Sequence, residues 1–231
     1  MKKIIKKIYY KIYPNIENQK LELVYRKFKD FTMIDKLSFF DNLILCNSIN
    51  SIDGCIVECG VWRGGMIAAA FEYSQTKRVS ILFDSFEGLP DVQANDGNAA
   101  KEWQDTNNGV GLDNCKAEIS FAEKAMELSG SKNHKIVKGW FDATTGTTKI
   151  DEPIAILRLD GDWYDSTMVC LENLYPKVAE NGLIIIDDYH AWDGCSRAVH
   201  DYLSKNNLPL RISQTKNGVC YIINKKLGRK L

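Results

Sequence analysis

The sequence has no net charge to offer a polyanion: thirty Lys and Arg are balanced by thirty Asp and Glu. Nucleic-acid binders show a basic excess or stripe, so the balance predicts a small-molecule substrate and no nucleic-acid partner. No run approaches the roughly 18 consecutive apolar residues of a membrane span, which predicts no transmembrane segment. A C-x-x-C pair is absent, and the seven cysteines (Cys46, Cys55, Cys59, Cys115, Cys170, Cys195, Cys220) are odd in number and widely spaced. Several lie in apolar runs, where a thiol behaves as a small hydrophobe. They are read as reduced core thiols of a cytoplasmic protein. There is no internal repeat, no low-complexity segment, and no His/Cys set for zinc. His134 and His200 read as surface histidines. A G-x-G-x-x-G dinucleotide fingerprint is also missing, which argues against a nicotinamide enzyme.

At 231 residues the chain can bury a substantial core in one domain with embellishments. Its start, MKKIIKKIYYKIYPNIENQK, is basic, but Lys6, Lys7 and Lys11 interrupt any signal-peptide core. Ile5, Ile8, Tyr9, Ile12 and Tyr13 fall at helical spacing. Such a helix rests on an anionic membrane surface or packs on the domain or a second subunit, and packing is preferred, so a homodimer is an expectation. Residues 1–50 are read as an N-terminal helical extension and residues 51–231 as the catalytic domain.

From Cys55 strands and helices alternate. Cys55–Gly60, Val79–Ser85, His134–Trp140, Ile154–Asp162 and Gly182–His190 read as strands, with helices over Gly64–Ser74, Asn114–Ser129, Ser166–Val178 and Cys195–Lys205. Leu210–Gln214 and Val219–Asn224, joined by Lys216-Asn217-Gly218, read as an antiparallel hairpin. Together these predict an α/β fold with a doubly wound, mostly parallel seven-stranded sheet and an antiparallel edge. Residues 86–113, rich in Gly, Asn and Asp, are too long for an ordinary connection and predict an active-site lid.

Two strands end in carboxylates, in IAILRLDGD and GLIIIDDYH. A right-handed crossover makes such strands parallel and puts both carboxyl ends on one sheet edge, where open α/β sheets bind ligands. Asp160, Asp187 and Asp188 crowded there without a cation would be forced toward protonation. Mg²⁺ takes carboxylate oxygens and keeps exchangeable waters, so the three are expected to be metal ligands.

The loop Glu58-Cys59-Gly60-Val61-Trp62-Arg63-Gly64 joins the first strand to the first helix. Its glycines allow close backbone approach, and the helix start offers free N–H groups. That suits S-adenosylmethionine, whose methionine carboxylate would meet those amides, although tight helix packing explains such glycines equally well. Asp84, with Ser85 beside it, ends the second strand where a carboxylate can take both ribose hydroxyls. Asp142, in the segment Gly139, Trp140, Phe141, Asp142, is placed to reach the adenine amino group.

VECGVWRGG, LFDSFEGLP, KGWFDAT, LRLDGDWYDST and IIIDDYH, in that order, resemble the macrocin O-methyltransferases, over roughly Gly54 to Asp201. The resemblance implies a Rossmann-like class I methyltransferase fold, S-adenosylmethionine as donor, and Mg²⁺-dependent attack by a sugar hydroxyl. It places the metal on Asp160, Asp187 and Asp188, with Asp160 also as general base. The cofactor falls on the Glu58–Gly64 loop, Asp84 and the Gly139–Asp142 segment. His190, beside the cluster, is a second candidate proton acceptor. The Lys-, Asn- and Ile-rich composition favours a capsule or lipopolysaccharide sugar, nucleotide-activated or polymer-bound, over a secondary-metabolite glycoside. A catechol-like phenol acceptor is disfavoured by Trp163, which stands where catechol enzymes place a lysine. A non-catalytic S-adenosylmethionine-binding subunit would not need the aspartates.

Overall fold

The computed structural model describes residues 16–108 and 114–225. The amphipathic stretch at the chain start, on which the homodimer expectation rests, lies outside the described residues. Helix α1 spans 16–28, and α2 (Lys36–Ser48) opens at Asp35, whose side chain accepts from Leu37 N and Ser38 N. Then follow β1 (Cys55–Cys59), α3 (Gly65–Tyr73), β2 (Ser80–Asp84), α4 (Asn98–Asn108), α5 (Ile119–Ser129), β3 (His134–Lys138) and α6 (Phe141–Thr144). The chain closes with β4 (Ile154–Leu159), α7 (Tyr164–Leu174), β5 (Val178–Ile186), α8 (Asp193–Lys205), β6 (Ser213–Gln214) and β7 (Cys220–Ile223).

The sheet order is β3-β2-β1-β4-β5-β7-β6. The first five strands run parallel, and β7 is antiparallel to both β5 and β6. This is the doubly wound sheet with an antiparallel edge that the sequence predicts. The winding reverses between β1 and β4, so their carboxyl ends diverge from adjacent crossovers and leave a crevice, the usual ligand position in such sheets.

Strand alternation sorts the core into two layers. Ile56, Leu82, Ile156 and Ile185 face α1, α2, α3 and α5, where Phe28, Phe39 and Leu43 are fully buried. Val57, Phe83, Leu157 and Ile184 face α7 and α8. α1 and α2 thus form part of the main core. Arg158 pairs with Glu58 across β1 and with Ile185 across β5, and Asp187 follows two residues after Ile185. Period-two alternation therefore puts Glu58, Arg158 and Asp187 on the face that α2 covers.

Two expectations are corrected. The helix before β3 starts at Ile119 rather than Asn114, because Asn114 and Cys115 take positive φ (48° and 62°), which breaks a right-handed helix. β6 is confined to Ser213–Gln214, since Leu210 and Ile212 pack on the core without pairing. The segment expected to be a lid has structure of its own over its described residues, 86–108. It carries α4, a 3-10 turn at Ala94–Asp96, and a neck where Leu89 N donates to Asn114 O and Asn114 Nδ2 donates to Leu89 O. Asp96 is buried and accepts from Tyr164 N at 2.7 Å, and Trp103 packs edge-on against Trp163 and Trp192. No helix among the described residues is long and apolar enough to cross a membrane.

Gly60 joins β1 to the crevice with φ +83°, and a Cβ there would lie 1.7 Å from the Asp160 carbonyl oxygen. The close approach belongs to the residue that follows β4, Asp160, whose N donates to Cys59 O at 2.9 Å. Gly60→Ala should destabilise the fold by about 3 kcal/mol or more in urea unfolding, because backbone rather than a movable side chain blocks the methyl.

Candidate active site

A cavity of about 660 Å³ opens at the carboxyl ends of β1, β2, β4 and β5, within the range of small-molecule sites. Of the residues proposed from sequence, Glu58, Gly60, Val61, Trp62, Asp84, Ser85, Trp140, Asp142, Asp160, Asp187 and Asp188 line it. Cys59, Arg63, Gly64, Gly139 and His190 do not. Cys59 points into the opposite layer, as alternation dictates. The Arg63 guanidinium is held between the Trp62 and Phe121 rings, 4.2 and 4.5 Å from their centroids. Gly64 starts α3 in the left-handed region and abuts Ala122, so tight helix packing explains it. Gly139 donates its N–H to Asp84 O. His190 is exposed, its Nε2 3.2 Å from Cys220 Sγ. Trp163 is buried and donates its indole N–H to Pro90 O rather than facing the cavity.

Asp84 is committed to the backbone before any ligand arrives. Its Oδ2 accepts from Val61 N and Trp62 N, both at 2.8 Å, and its Oδ1 accepts from Phe86 N at 2.6 Å. Burial raises its pKa, and these bonds pull the other way. Two bonds fill Oδ2 and one leaves acceptor capacity on Oδ1 only. A two-oxygen grip on ribose, and a carboxylate on the Val61 and Trp62 amides, would both need this arrangement to open.

The carboxylate cluster is built around a residue not singled out from sequence. Arg158, 4% exposed, reaches Glu58 Oε1 and Asp160 Oδ2 through Nη1, both at 2.7 Å, and Asp187 Oδ1 through Nη2 at 2.5 Å. Its Nε donates to Asn42 Oδ1 of α2 at 3.3 Å. The expectation that the aspartates need a metal for any neutralisation is therefore incomplete, since the chain supplies one internal cation. A lone arginine in the apolar run IAILRLD was the available signal, because a charge in a fully buried strand needs partners.

One guanidinium does not neutralise the whole group. Burial pushes Glu58 up to about 7 against the pull of Arg158. Asp187 goes up to about 6, again through burial, opposed by Arg158 and reinforced by Asp160. Asp188 rises well above the usual carboxylate range through burial and then the charges of Asp162, Asp160 and Asp187. Asp162, also raised, lines the cavity. Its N–H donates to Asp188 Oδ2 at 3.0 Å, and its Oδ1 accepts from the Trp192 indole. Asp160, Asp187 and Asp188 each offer an oxygen within 4.8 Å of the others.

The chain matches the macrocin-O-methyltransferase (TylF) family over residues 27–222. It is 35% identical over 188 residues to the 8-demethyl-8-(2,3-dimethoxy-alpha-L-rhamnosyl)-tetracenomycin-C 4'-O-methyltransferase of Streptomyces olivaceus, covering 77% of this chain and 70% of that protein. It is 36% identical over 164 residues to the demethyldecarbamoylnovobiocin O-methyltransferase of Streptomyces niveus, covering 68% of this chain but only 60% of that protein. Among solved structures it resembles the O-methyltransferase NovP, with TM-score 0.72 and 29% identity over 85% of this chain and 83% of that one. The calicheamicin methyltransferase CalS11 shares the fold, with TM-score 0.62 at 18% identity over 89% and 91% of the two chains. The sheet order, the crevice at its reversal and a match that takes in α2 through β7 agree: this chain belongs to the macrocin-O-methyltransferase family of S-adenosylmethionine-dependent methyltransferases, with their Rossmann-like class I fold.

Proposed function

We propose that the protein is a Mg²⁺-dependent O-methyltransferase that moves the methyl group of S-adenosylmethionine onto a sugar hydroxyl. The carrying observation is the trio Asp160, Asp187 and Asp188 beside the β1–α3 loop in one cavity. The donor set is all oxygen, which suits a hard cation.

Asp160, Asp187 and Asp188 would hold the metal, which would polarise the acceptor hydroxyl as a Lewis acid. The other steps belong to the chain. The walls of the cavity hold the hydroxyl in line with the S–CH₃ bond at about 3 Å. With Arg158 on its Oδ2, Asp160 has Oδ1 left to serve as metal ligand or, as the resemblance implies, as the base that takes the proton. His190, turned toward Cys220, is not retained as an acceptor. The relative named for a rhamnosyl-tetracenomycin substrate supports the sugar acceptor. A capsule or lipopolysaccharide sugar and a cytoplasmic setting complete the proposal, on composition alone.

Excess EDTA should abolish turnover and Mg²⁺ restore it; full activity in EDTA would refute the metal. Protonated carboxylates do not ligate, and Asp187 is pushed up to about 6. The Mg²⁺ concentration for half activity should therefore climb as pH falls through that value and level off above it, measured from pH 5 to 8.

A further inference from the structure

The segments that follow β4 and β5, which carry the candidate metal ligands, are joined by a closed circuit of hydrogen bonds. Trp192 N donates to Asp188 O at 3.0 Å, the Trp192 indole N–H donates to Asp162 Oδ1 at 2.9 Å, and Asp162 N returns to Asp188 Oδ2 at 3.0 Å. Asp162 holds an unusual backbone. Its φ is +57°, and Trp163 N donates to Gly161 O at 2.6 Å, which closes a three-residue turn of the rare, strained hand around it. Strain of this kind persists only where the surroundings over-determine it. Here the Trp192 ring packs edge-on against Trp163 at 5.2 Å, and Trp103 of α4 packs against both, at 6.1 and 6.0 Å. Neither Trp163 nor Trp192 lines the cavity, so neither ring is placed to touch a substrate.

We propose that Trp192 is a positioning residue of the metal centre: its indole N–H holds the Asp162 turn, and the N–H of that turn fixes the Asp188 carboxylate. The inference rests on the metal reading above and deepens it. A carboxylate free to rotate must be ordered when the cation arrives, whereas one already held by a hydrogen bond from a neighbouring segment is not, and the difference appears as metal affinity. Asp160 stands two residues before the centre of the turn, and Asp188 accepts from it. A relaxed turn therefore loosens two ligand-bearing segments against each other. Through Trp103 the excursion after β2 helps to hold the same turn, which gives that excursion a part in metal binding.

Trp192→Phe keeps a packing ring and removes the N–H. Mn²⁺, which takes the same oxygen ligands, is titrated into the full chain without substrate and read as free ion by electron paramagnetic resonance. It should bind about tenfold more weakly to this variant than to wild type, while S-adenosylhomocysteine, measured by calorimetry without metal, stays within about twofold. In turnover the Mg²⁺ concentration for half activity should rise by about tenfold, with kcat at saturating Mg²⁺ within about threefold. Trp163→Phe is the matched control. It takes an indole N–H from the same cluster, but one that serves Pro90 O, and should leave Mn²⁺ affinity within about twofold. A second pair of variants works from the acceptor end. Asp162→Asn and Asp162→Ala both remove the charge, but only asparagine keeps an oxygen for the indole, so the Asn variant should bind Mn²⁺ about tenfold more tightly than the Ala variant. Equal Mn²⁺ affinity in wild type and Trp192→Phe, an equal loss in Trp163→Phe, or equal affinity in the two Asp162 variants overturns the positioning role and leaves the metal reading intact. A wild type that binds no Mn²⁺ at about 1 mM overturns both.

Discussion

Arg158→Met should cost about 3–5 kcal/mol of stability at pH 8, the range for stripping one partner from a buried ion pair. For a chain of this size that corresponds to a fall in Tm of about 2–4 °C per kcal/mol. Glu58 is 1% exposed and has no other cation in contact among the described residues, and Asp160 and Asp187 lose their shared partner in the same step. The pH dependence separates this from a simple packing loss. Burial already pushes Glu58 up to about 7 from an unfolded value of 4.5. Its folded form therefore holds a proton that the unfolded form releases, and stability falls as pH rises between those values. Without Arg158 the folded value moves higher and the window widens upward. The deficit relative to wild type should be largest at pH 8 and shrink toward pH 5, read by urea unfolding across that range. Arg158→Lys should recover only part of it, because a point charge cannot span the three carboxylates that the planar fork joins. A Met variant as stable as wild type at pH 8 would show that the network contributes nothing net.

Asp188→Asn should lower kcat/KM for methyl transfer by more than about 100-fold while leaving the protein as stable or more stable. The two halves of that expectation have one cause. Asp188 is 8% exposed and crowded by Asp162, Asp160 and Asp187, so its charge disfavours the empty fold. Asparagine keeps the shape and an oxygen for the Asp162 N–H, and removes the repulsion. A gain of about 0.5–2 kcal/mol is the usual size of such a trade between activity and stability. Thermal unfolding in EDTA reads the stability and single-turnover kinetics in Mg²⁺ reads the loss. Unchanged turnover would remove Asp188 from the site, and a large loss of stability would mean that its role is structural.

The central strands were legible because β1, β2, β4 and β5 each contain an apolar run of strand length closed by Gly or Asp, and their parallel direction followed from the crossovers. The acidic strand tips were legible for the same reason: Asp160 and Asp187–Asp188 each end such a run. What stayed hidden depends on contacts between distant segments. Asn42 meets Arg158 across 116 positions of chain, and Asp96 caps the start of α7 from 68 positions away. No local pattern encodes either. Asp84 was found as a strand end, yet its grip on the loop amides follows from how β1 and β2 lie side by side. The helix inside 86–113 was missed because its polar sequence, NAAKEWQDTNN, lacks an apolar stripe; Trp103 alone ties it to Trp163 and Trp192.

The neck at Leu89 and Asn114 has a consequence for how this scaffold can diversify. The chain leaves β2 and returns toward α5 through one doubly bonded gate, so a change of length in the excursion need not move β2 or α5, although Pro90, Asp96 and Trp103 also tie it to the start of α7 and to Trp192. Loop closure makes such changes inexpensive, since each doubling of length costs only about 0.6 kcal/mol. Within the excursion, Pro90, Asp96 and Trp103 are fastened to Trp163, Tyr164 and Trp192, so changes of length are cheapest between those anchors, while the carboxylates and Arg158 sit on the strands and their ends.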